Sequence, residues 1–242
     1  MALFEVHGLT KTFGGLAANR DITMRVEQGE ILGLIGPNGA GKTTFFNCVT
    51  GFYPPSAGSV RFQDQEITGW PPERVCQAGI ARTFQIVRVL GDLTVLENVM
   101  IGAFLRHPRV PDARRKALAV LELTGLADRQ DQMARNLTIA GKKRLELARA
   151  LATEPTLLFL DEAMAGLNPS EIHAAVAIVR RLQEQGITIV MVEHVMKVVM
   201  PLADRIVVLD SGQVIADDVP ERIAANERVI EAYLGEKYRA AS

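Results

Sequence analysis

The sequence predicts an α/β fold: a phosphate-loop core on a buried parallel sheet, a small antiparallel β subdomain beside it, and an inserted helical subdomain. Three observations carry this. Gly36-Pro37-Asn38-Gly39-Ala40-Gly41-Lys42-Thr43-Thr44 fits G-x-x-x-x-G-K-[ST] and lies between a short apolar run and a helical pattern. Unbroken apolar runs recur late in the chain and end in acids, at Leu157-Leu158-Phe159-Leu160-Asp161 and at 187–193. Between them, over 93–151, apolar residues repeat at helical spacing.

In chain order, Phe4-Glu5-Val6-His7, Ile22-Thr23-Met24-Arg25-Val26 and Ser59-Val60-Arg61-Phe62-Gln63 alternate apolar with polar residues, as half-buried strands do; the third is entered from the turn-rich Pro54-Pro55-Ser56-Ala57-Gly58. They make the antiparallel sheet. Ile31-Leu32-Gly33-Leu34-Ile35, bounded by Gly29 and Gly36, reads as a buried strand, and a helix from Lys42 runs until Gly51 stops it. In that strand–loop–helix setting the glycines let backbone N–H groups wrap phosphate oxygens, and the helix start adds partial positive charge. Lys42 is placed for the β/γ-phosphates and the Thr43 hydroxyl for Mg²⁺.

The helical stretch breaks at His107-Pro108, at Val110-Pro111 and near Gly125; Leu118, Leu121, Leu147, Ala148 and Leu151 are packing residues. After the strand ending at Asp161, Ser170 can cap a helix with the stripe Ile172, Ala175, Val176, Val179 and Leu182, closed by Gly186. A strand over 187–192 ends at Glu193-His194, and a hairpin over 205–216 turns at Ser211-Gly212 before a helical tail after Pro220. The whole chain is then one domain: core and antiparallel sheet at 1–85 and 155–220, helical subdomain at 86–154, tail at 221–242.

With Lys+Arg 27 against Asp+Glu 28 the net charge is −1, which offers no global attraction to nucleic acid or an anionic bilayer. Cys48 and Cys76 have neither zinc nor redox spacing, so they read as reduced thiols of a cytosolic protein. No apolar run reaches membrane-spanning length, and Met1-Ala2-Leu3-Phe4-Glu5 is not a signal peptide. Work at a membrane requires a partner.

Ligands of open α/β sheets sit at the carboxyl ends of strands. Asp161 in a wet cleft there would hold Mg²⁺, and Glu162 beside it would polarise an attacking water; alone, such acids are more often helix caps. The full order of motifs resembles the ATP-binding subunit of ABC transporters. The resemblance implies a RecA-like core, ATP and Mg²⁺ as cofactors, and ATP hydrolysis. It places Phe13 against adenine, Gly36-Pro37-Asn38-Gly39-Ala40-Gly41-Lys42-Thr43-Thr44 as Walker A, and Gln85 on Mg²⁺ and toward the membrane partner. Leu157-Leu158-Phe159-Leu160-Asp161-Glu162 becomes Walker B with its catalytic glutamate, Ala165-Gly166-Leu167-Asn168 the D-loop, and His194 the histidine on the γ-phosphate. Asn136-Leu137-Thr138-Ile139-Ala140-Gly141 stands at the signature, so Thr138, Ala140 and Gly141 face a nucleotide held by a second ATPase subunit.

Phe13-Gly14-Gly15-Leu16, Ala81-Arg82-Thr83-Phe84-Gln85 and Val229-Ile230-Glu231-Ala232-Tyr233-Leu234-Gly235-Glu236 narrow the resemblance to branched-chain amino acid importers, with lipopolysaccharide exporters sharing a similar ending. The partners implied are permease subunits, a second ATPase (a copy or a sibling) and, indirectly, a periplasmic binding protein. The location implied is peripheral, on the inner face of a bacterial membrane. Soluble ABC ATPases of DNA repair or ribosomes carry long coiled coils or two cassettes, and neither is present. Three departures stand out. The signature usually reads Leu-Ser-Gly-Gly-Gln, and Gly141 in place of its Gln leaves half of a capping box. Asn19 replaces an aliphatic contact to the nucleotide. Lys142-Lys143-Arg144 opens the following helix against its dipole, either as an anion site or as a solvated face offset by Glu146. The run Ile86, Val87, Val89 and Leu90 after Gln85 is either core or a dock for a partner helix.

Overall fold

The computed structural model describes residues 2–193 and 196–239. β1 (Ala2–Phe13) and β2 (Leu16–Glu27) form an antiparallel pair. β3 (Ile31–Ile35) leads through the phosphate loop into α1 (Lys42–Val49), followed by β4 (Ala57–Phe62) and the short β5 (Gln65–Glu66). The antiparallel sheet has the order β2-β1-β4-β5. Its alternation is real: Phe4, Val6, Ile22, Met24, Val26, Val60 and Phe62 are buried, while His7, Thr23, Arg25 and Arg61 point to water.

α2 (Pro72–Ala78) and β6 (Ile80–Arg82) are not foreseen by periodicity, because three strand residues are too few to show a pattern. The helical subdomain contains α3 (Val95–Ala103), α4 (Val110–Thr124) and α5 (Ile139–Leu151). Val110-Pro111 starts α4 instead of breaking the chain, since a proline in the first turn gives up no intrahelical bond. Leu121, Ala148 and Leu151 are buried between these helices, with Leu118 and Leu147 packed at the margin.

β7 (Leu157–Asp161) is followed by α6 (Pro169–Glu184), whose cap is Asn168 and not Ser170. Asn168 exchanges bonds with Glu171 in a full capping box, and the Ser170 hydroxyl merely donates to Asn168 Oδ1 at 2.8 Å. β8 (Thr188–Val192), α7 (Met196–Leu202), β9 (Arg205–Asp210), β10 (Gln213–Asp218), α8 (Pro220–Ala224) and α9 (Glu227–Arg239) complete the described chain.

The central sheet runs β10-β9-β3-β8-β7-β6, parallel apart from β10. Both of its faces are covered. Ile31, Leu158, Leu160, Ile189 and Met191 pack toward the helical subdomain and α6. Leu32, Leu34, Leu157, Phe159, Val190 and Val192 pack toward α1 and the antiparallel sheet, where Phe46 meets Phe159 edge-on at 4.9 Å. Burial on both faces is why these strands read as unbroken apolar runs. A smaller core joins α7, α8 and α9 to β9. Because β3, β8 and β7 are parallel neighbours, their carboxyl ends open on one edge of the sheet.

Candidate functional site

The phosphate loop is closed by packing that excludes side chains. Gly36 has φ 152°, and a Cβ there would stand 2.1 Å from the Leu209 carbonyl oxygen. At Gly41, φ 97°, it would stand 2.4 Å from the Ala18 carbonyl oxygen. Lys42 is buried and folds back over the loop, its Nζ donating to the carbonyls of Gly36 at 2.7 Å and Pro37 at 2.9 Å. Asn38, Gly39 and Thr43 are exposed, and Pro37 and Ala40 are buried. Asn19 lies beneath the loop, fully buried, with Nδ2 donating to the Gly41 carbonyl at 3.1 Å. Its side chain props the loop from behind. The Phe13 ring is half-exposed, set edge-on to Tyr53 at 5.4 Å with Lys11 Nζ 5.0 Å from its centroid. Tyr53 is an aromatic the sequence reading had not singled out.

A second cluster forms at the end of β7. Asp161 is buried; its Oδ2 accepts from Arg82 at 2.9 Å, whereas Oδ1 has no hydrogen-bond partner among the described residues. Arg82 also donates to Asn47 Oδ1 at 2.7 Å and Thr50 Oγ1 at 3.0 Å, so β6 binds β7 to α1. Burial pushes the Asp161 carboxyl up against the pull of Arg82, and the same burial lowers Arg82. A buried carboxylate with one oxygen pinned and the other open is the environment a hard cation fits. Gln85 and the exposed Thr43 hydroxyl supply further neutral oxygen donors.

Glu162 adopts a left-handed backbone, φ 49°. Its N–H donates to the Val192 carbonyl at 2.9 Å, its carbonyl accepts from Lys143 Nζ at 2.8 Å, and its Oε2 accepts from Gln85 Nε2 at 3.0 Å. A second acid, Glu193 at the end of β8, is 2% exposed and accepts from the Met164 N–H at 2.7 Å. Burial raises its pKa to about 7. His194, the expected γ-phosphate contact, lies outside the described residues.

At the start of α5, the exposed Thr138 caps its own helix by accepting from the Gly141 N–H at 3.1 Å, the surviving half of the capping box. Ala140 and Gly141 are buried in the first turn, so the helix start presents Thr138 and Ile139, the latter 70% exposed. Lys142, Lys143 and Arg144 do not act as one basic cluster: Lys143 turns inward to Glu162, and the buried Glu146 accepts from the Phe84 N–H at 3.3 Å. Ile86 and Leu90 are exposed, while Val89 packs on the helical core. Nearby, a cleft of about 220 Å³ separates core from helical subdomain and is lined by Phe52, Arg82, Phe84, Ile101 and Arg149.

The geometry brings Gln85, Asp161 and Glu162 together and seats the Walker A stretch on Asn19 and Gly212. Thr138, among the described residues, bonds neither. Residues underestimated from sequence are Arg82, Lys143, Glu193 and Asn19, whose partners lie far away in the chain. Both cysteines are free, and burial holds both thiols above their ordinary range, Cys48 at about 11. Among the described residues, no helix is long and apolar enough to cross a membrane.

Comparison with known proteins identifies the family. Residues 19–165 match the family described as ABC transporter, and residues 213–239 match the family described as Branched-chain amino acid ATP-binding cassette transporter. The chain is 40% identical over 252 residues to the High-affinity branched-chain amino acid transport ATP-binding protein BraF of Pseudomonas aeruginosa, covering 97% of this chain and 98% of that one. It is 41% identical over 250 residues to the corresponding protein LivG of Escherichia coli K12, with 97% and 98% covered. The crystal structure of the ADP conformation of an ATP-binding cassette of an ABC transporter superimposes with a TM-score of 0.88 at 31% identity, covering 97% of this chain and 99% of that one.

Proposed function

This chain belongs to the ABC transporter family of ATP-binding proteins, and on that footing we propose that it hydrolyses MgATP to drive uptake of branched-chain amino acids or related amides through a membrane permease. The relatives named for branched-chain amino acid transport favour this over lipopolysaccharide export. Held by the permease, the protein works on the inner face of the bacterial membrane, and a periplasmic binding protein delivers the cargo from the far side.

The observation that carries the reading is the pairing of an open Asp161 oxygen with the Glu162 carboxylate at one strand end. Lys42 leaves the loop carbonyls for the β/γ-phosphates, and the loop N–H groups take the remaining oxygens. Phe13 offers an edge-supported ring for adenine. Asp161, Thr43 and Gln85 would hold Mg²⁺, which neutralises charge on the phosphates when bound. Glu162 accepts a proton from a water as that water's oxygen bonds the γ-phosphorus and the bond to ADP breaks; Gln85 aims the carboxylate, and His194 contacts the γ-phosphate. Thr138, exposed at the start of α5, meets the ATP of a second ATPase subunit, with the buried Ala140 and Gly141 shaping the turn behind it. Glu162→Gln should retain ATP binding and lower turnover by roughly a hundredfold or more. The variant should form an ATP-stabilised dimer on gel filtration, and turnover within twofold of wild type overturns the assignment.

The cleft beside Arg82, with Ile86 and Leu90 exposed at its approach, suits a short helix of the permease. Ile86, at 74% exposure, is the residue to test, because Val89 serves the core. Ile86→Glu should lower co-purification with the permease and transport several-fold at unchanged ATP affinity. Equal co-purification removes this surface from the interface.

A further inference from the structure

Lys143 is the member of the basic triplet that turns inward, to the Glu162 carbonyl. We propose that Lys143 is a positioning residue for hydrolysis, holding the left-handed backbone of Glu162 from α5 and so setting where that carboxylate stands. The proposal rests on Glu162 being the base.

The local geometry needs such a holder. A non-glycine residue at φ 49° stays there only if its surroundings over-determine it. Three bonds among the described residues do this at Glu162. The N–H is anchored to Val192 in β8, within the sheet. The carbonyl and the carboxylate are held by Lys143 and Gln85, one on a helix of the helical subdomain and the other at the entry to it. Glu162 is therefore suspended between two parts of the molecule.

Lys143 is itself fixed from below. Its ammonium is drawn by Glu193, Glu162 and Glu146, against a burial that disfavours its charge. Glu193 adds a buried Oε2 with no partner among the described residues, while its Oε1 holds the Met164 N–H. If Lys143 turned outward, that acid would lose its nearby cation, a costly exchange at low dielectric. Beside it, a crevice of about 40 Å³ between α5 and α6, lined by Lys143, Ala163, Leu167 and Ile178, leaves α5 room to shift. The same helix presents Thr138 and Ile139 to the outside little more than a turn away. A displacement caused by a ligand at the helix start thus reaches the Glu162 carbonyl through one side chain.

The test uses Lys143→Met and Lys143→Arg in the full chain. The readouts are kcat and KM for MgATP, nucleotide affinity of the isolated subunit, and, on a Glu162→Gln background, ATP-driven association. Lys143→Met should lower kcat roughly ten- to a hundredfold with KM within about twofold, and Lys143→Arg should restore most of it. Lys143→Met/Glu162→Gln should associate as well as Glu162→Gln alone. A kcat within twofold of wild type overturns the proposal, and so does an association defect as large as the rate defect, which would put Lys143 on the partner's nucleotide. Should Lys143→Met fail to fold, Glu193→Gln, assayed at pH 8 where Glu193 is mostly ionised, keeps an acceptor for Met164 and removes the anion beside the ammonium. It should lower kcat several-fold at constant KM, and an unchanged kcat overturns the idea. Turnover surviving in Glu162→Gln would sink the base assignment; an inactive Glu162→Gln beside a fully active Lys143→Met sinks only the role of Lys143.

Discussion

The phosphate loop and the carboxyl end of β7 are neighbours on one sheet edge, yet they are assembled in opposite ways. The loop closes largely on itself: Lys42 bonds carbonyls only six and five residues back in the chain. The end of β7 is collected from afar, with Arg82 and Gln85 from the core edge, Lys143 from the helical subdomain and Val192 from β8. A device held by short-range bonds, and braced only at its back by Asn19 and Gly212, responds weakly to movement of the helical subdomain. A collected one changes whenever its contributors move relative to each other. On the proposed reading, nucleotide affinity follows from the loop and the sheet edge behind it, and the rate of chemistry from how the subdomains are arranged.

The hardest blow to that contrast is Arg82→Gln. It leaves Asp161 buried without its counter-ion and breaks the bonds to Asn47 and Thr50, so denaturation should show a loss of about 3–5 kcal/mol. In whatever fraction folds, the gain in ATP affinity on adding Mg²⁺ should shrink as well. A stable variant with normal Mg²⁺ dependence would mean that the collected half does not depend on its cross-links.

Next comes Lys42→Met on the self-contained half. Losing a charge-assisted contact to phosphate should weaken ATP binding roughly ten- to a hundredfold in a fluorescent-nucleotide titration. Thermal stability should fall by less than in Arg82→Gln, because the lost bonds to Gly36 and Pro37 strand neutral carbonyls and no buried charge. If stability collapses together with affinity, the loop is less independent than drawn.

The smallest effect sharpens the picture through pH. The folded-state pKa of Glu193 is raised to about 7 from 4.5, with Lys143, Asp161 and Glu162 facing it. The folded protein therefore binds this proton more tightly than the unfolded chain. The stabilisation is fully present below the unfolded value, fades as pH rises toward about 7, and is gone above it. Glu193→Gln should remove that slope, so its stability relative to wild type should rise by about 1–3 kcal/mol between pH 5 and 8. A constant difference would show that Glu193 stays charged throughout.

What the sequence made legible follows the same division. The phosphate loop, the alternating strands and the buried runs are local patterns, and each was readable because its cause lies within a few consecutive residues. Asp161 and Glu162 were readable as strand-end acids. Arg82 was not: an arginine after Ile80-Ala81 carries no sign that it will reach Asp161, seventy-nine positions away. Lys143 looked like one of three equivalent cations, since helical spacing does not tell which of them finds a carbonyl across a subdomain boundary. The cap of α6 was misplaced for a smaller reason. Ser170 and Asn168 are both good caps, and only the reciprocal bond with Glu171 decides between them.

The strand order has a consequence for the chain as it is being made. β3 carries the phosphate loop, and its two sheet neighbours are β8 and β9, both from the last quarter of the sequence. The turn that accepts from Arg20 and donates to Ala40 is Gly212, later still. A ribosome adding about 5–20 residues per second needs on the order of ten seconds or more to travel from the loop to that turn. Throughout this interval the apolar β3 has two open edges, a shape that invites pairing with other chains. Competence to bind nucleotide thus arrives late in synthesis, and the nascent first half is the stage at which a chaperone has most to protect.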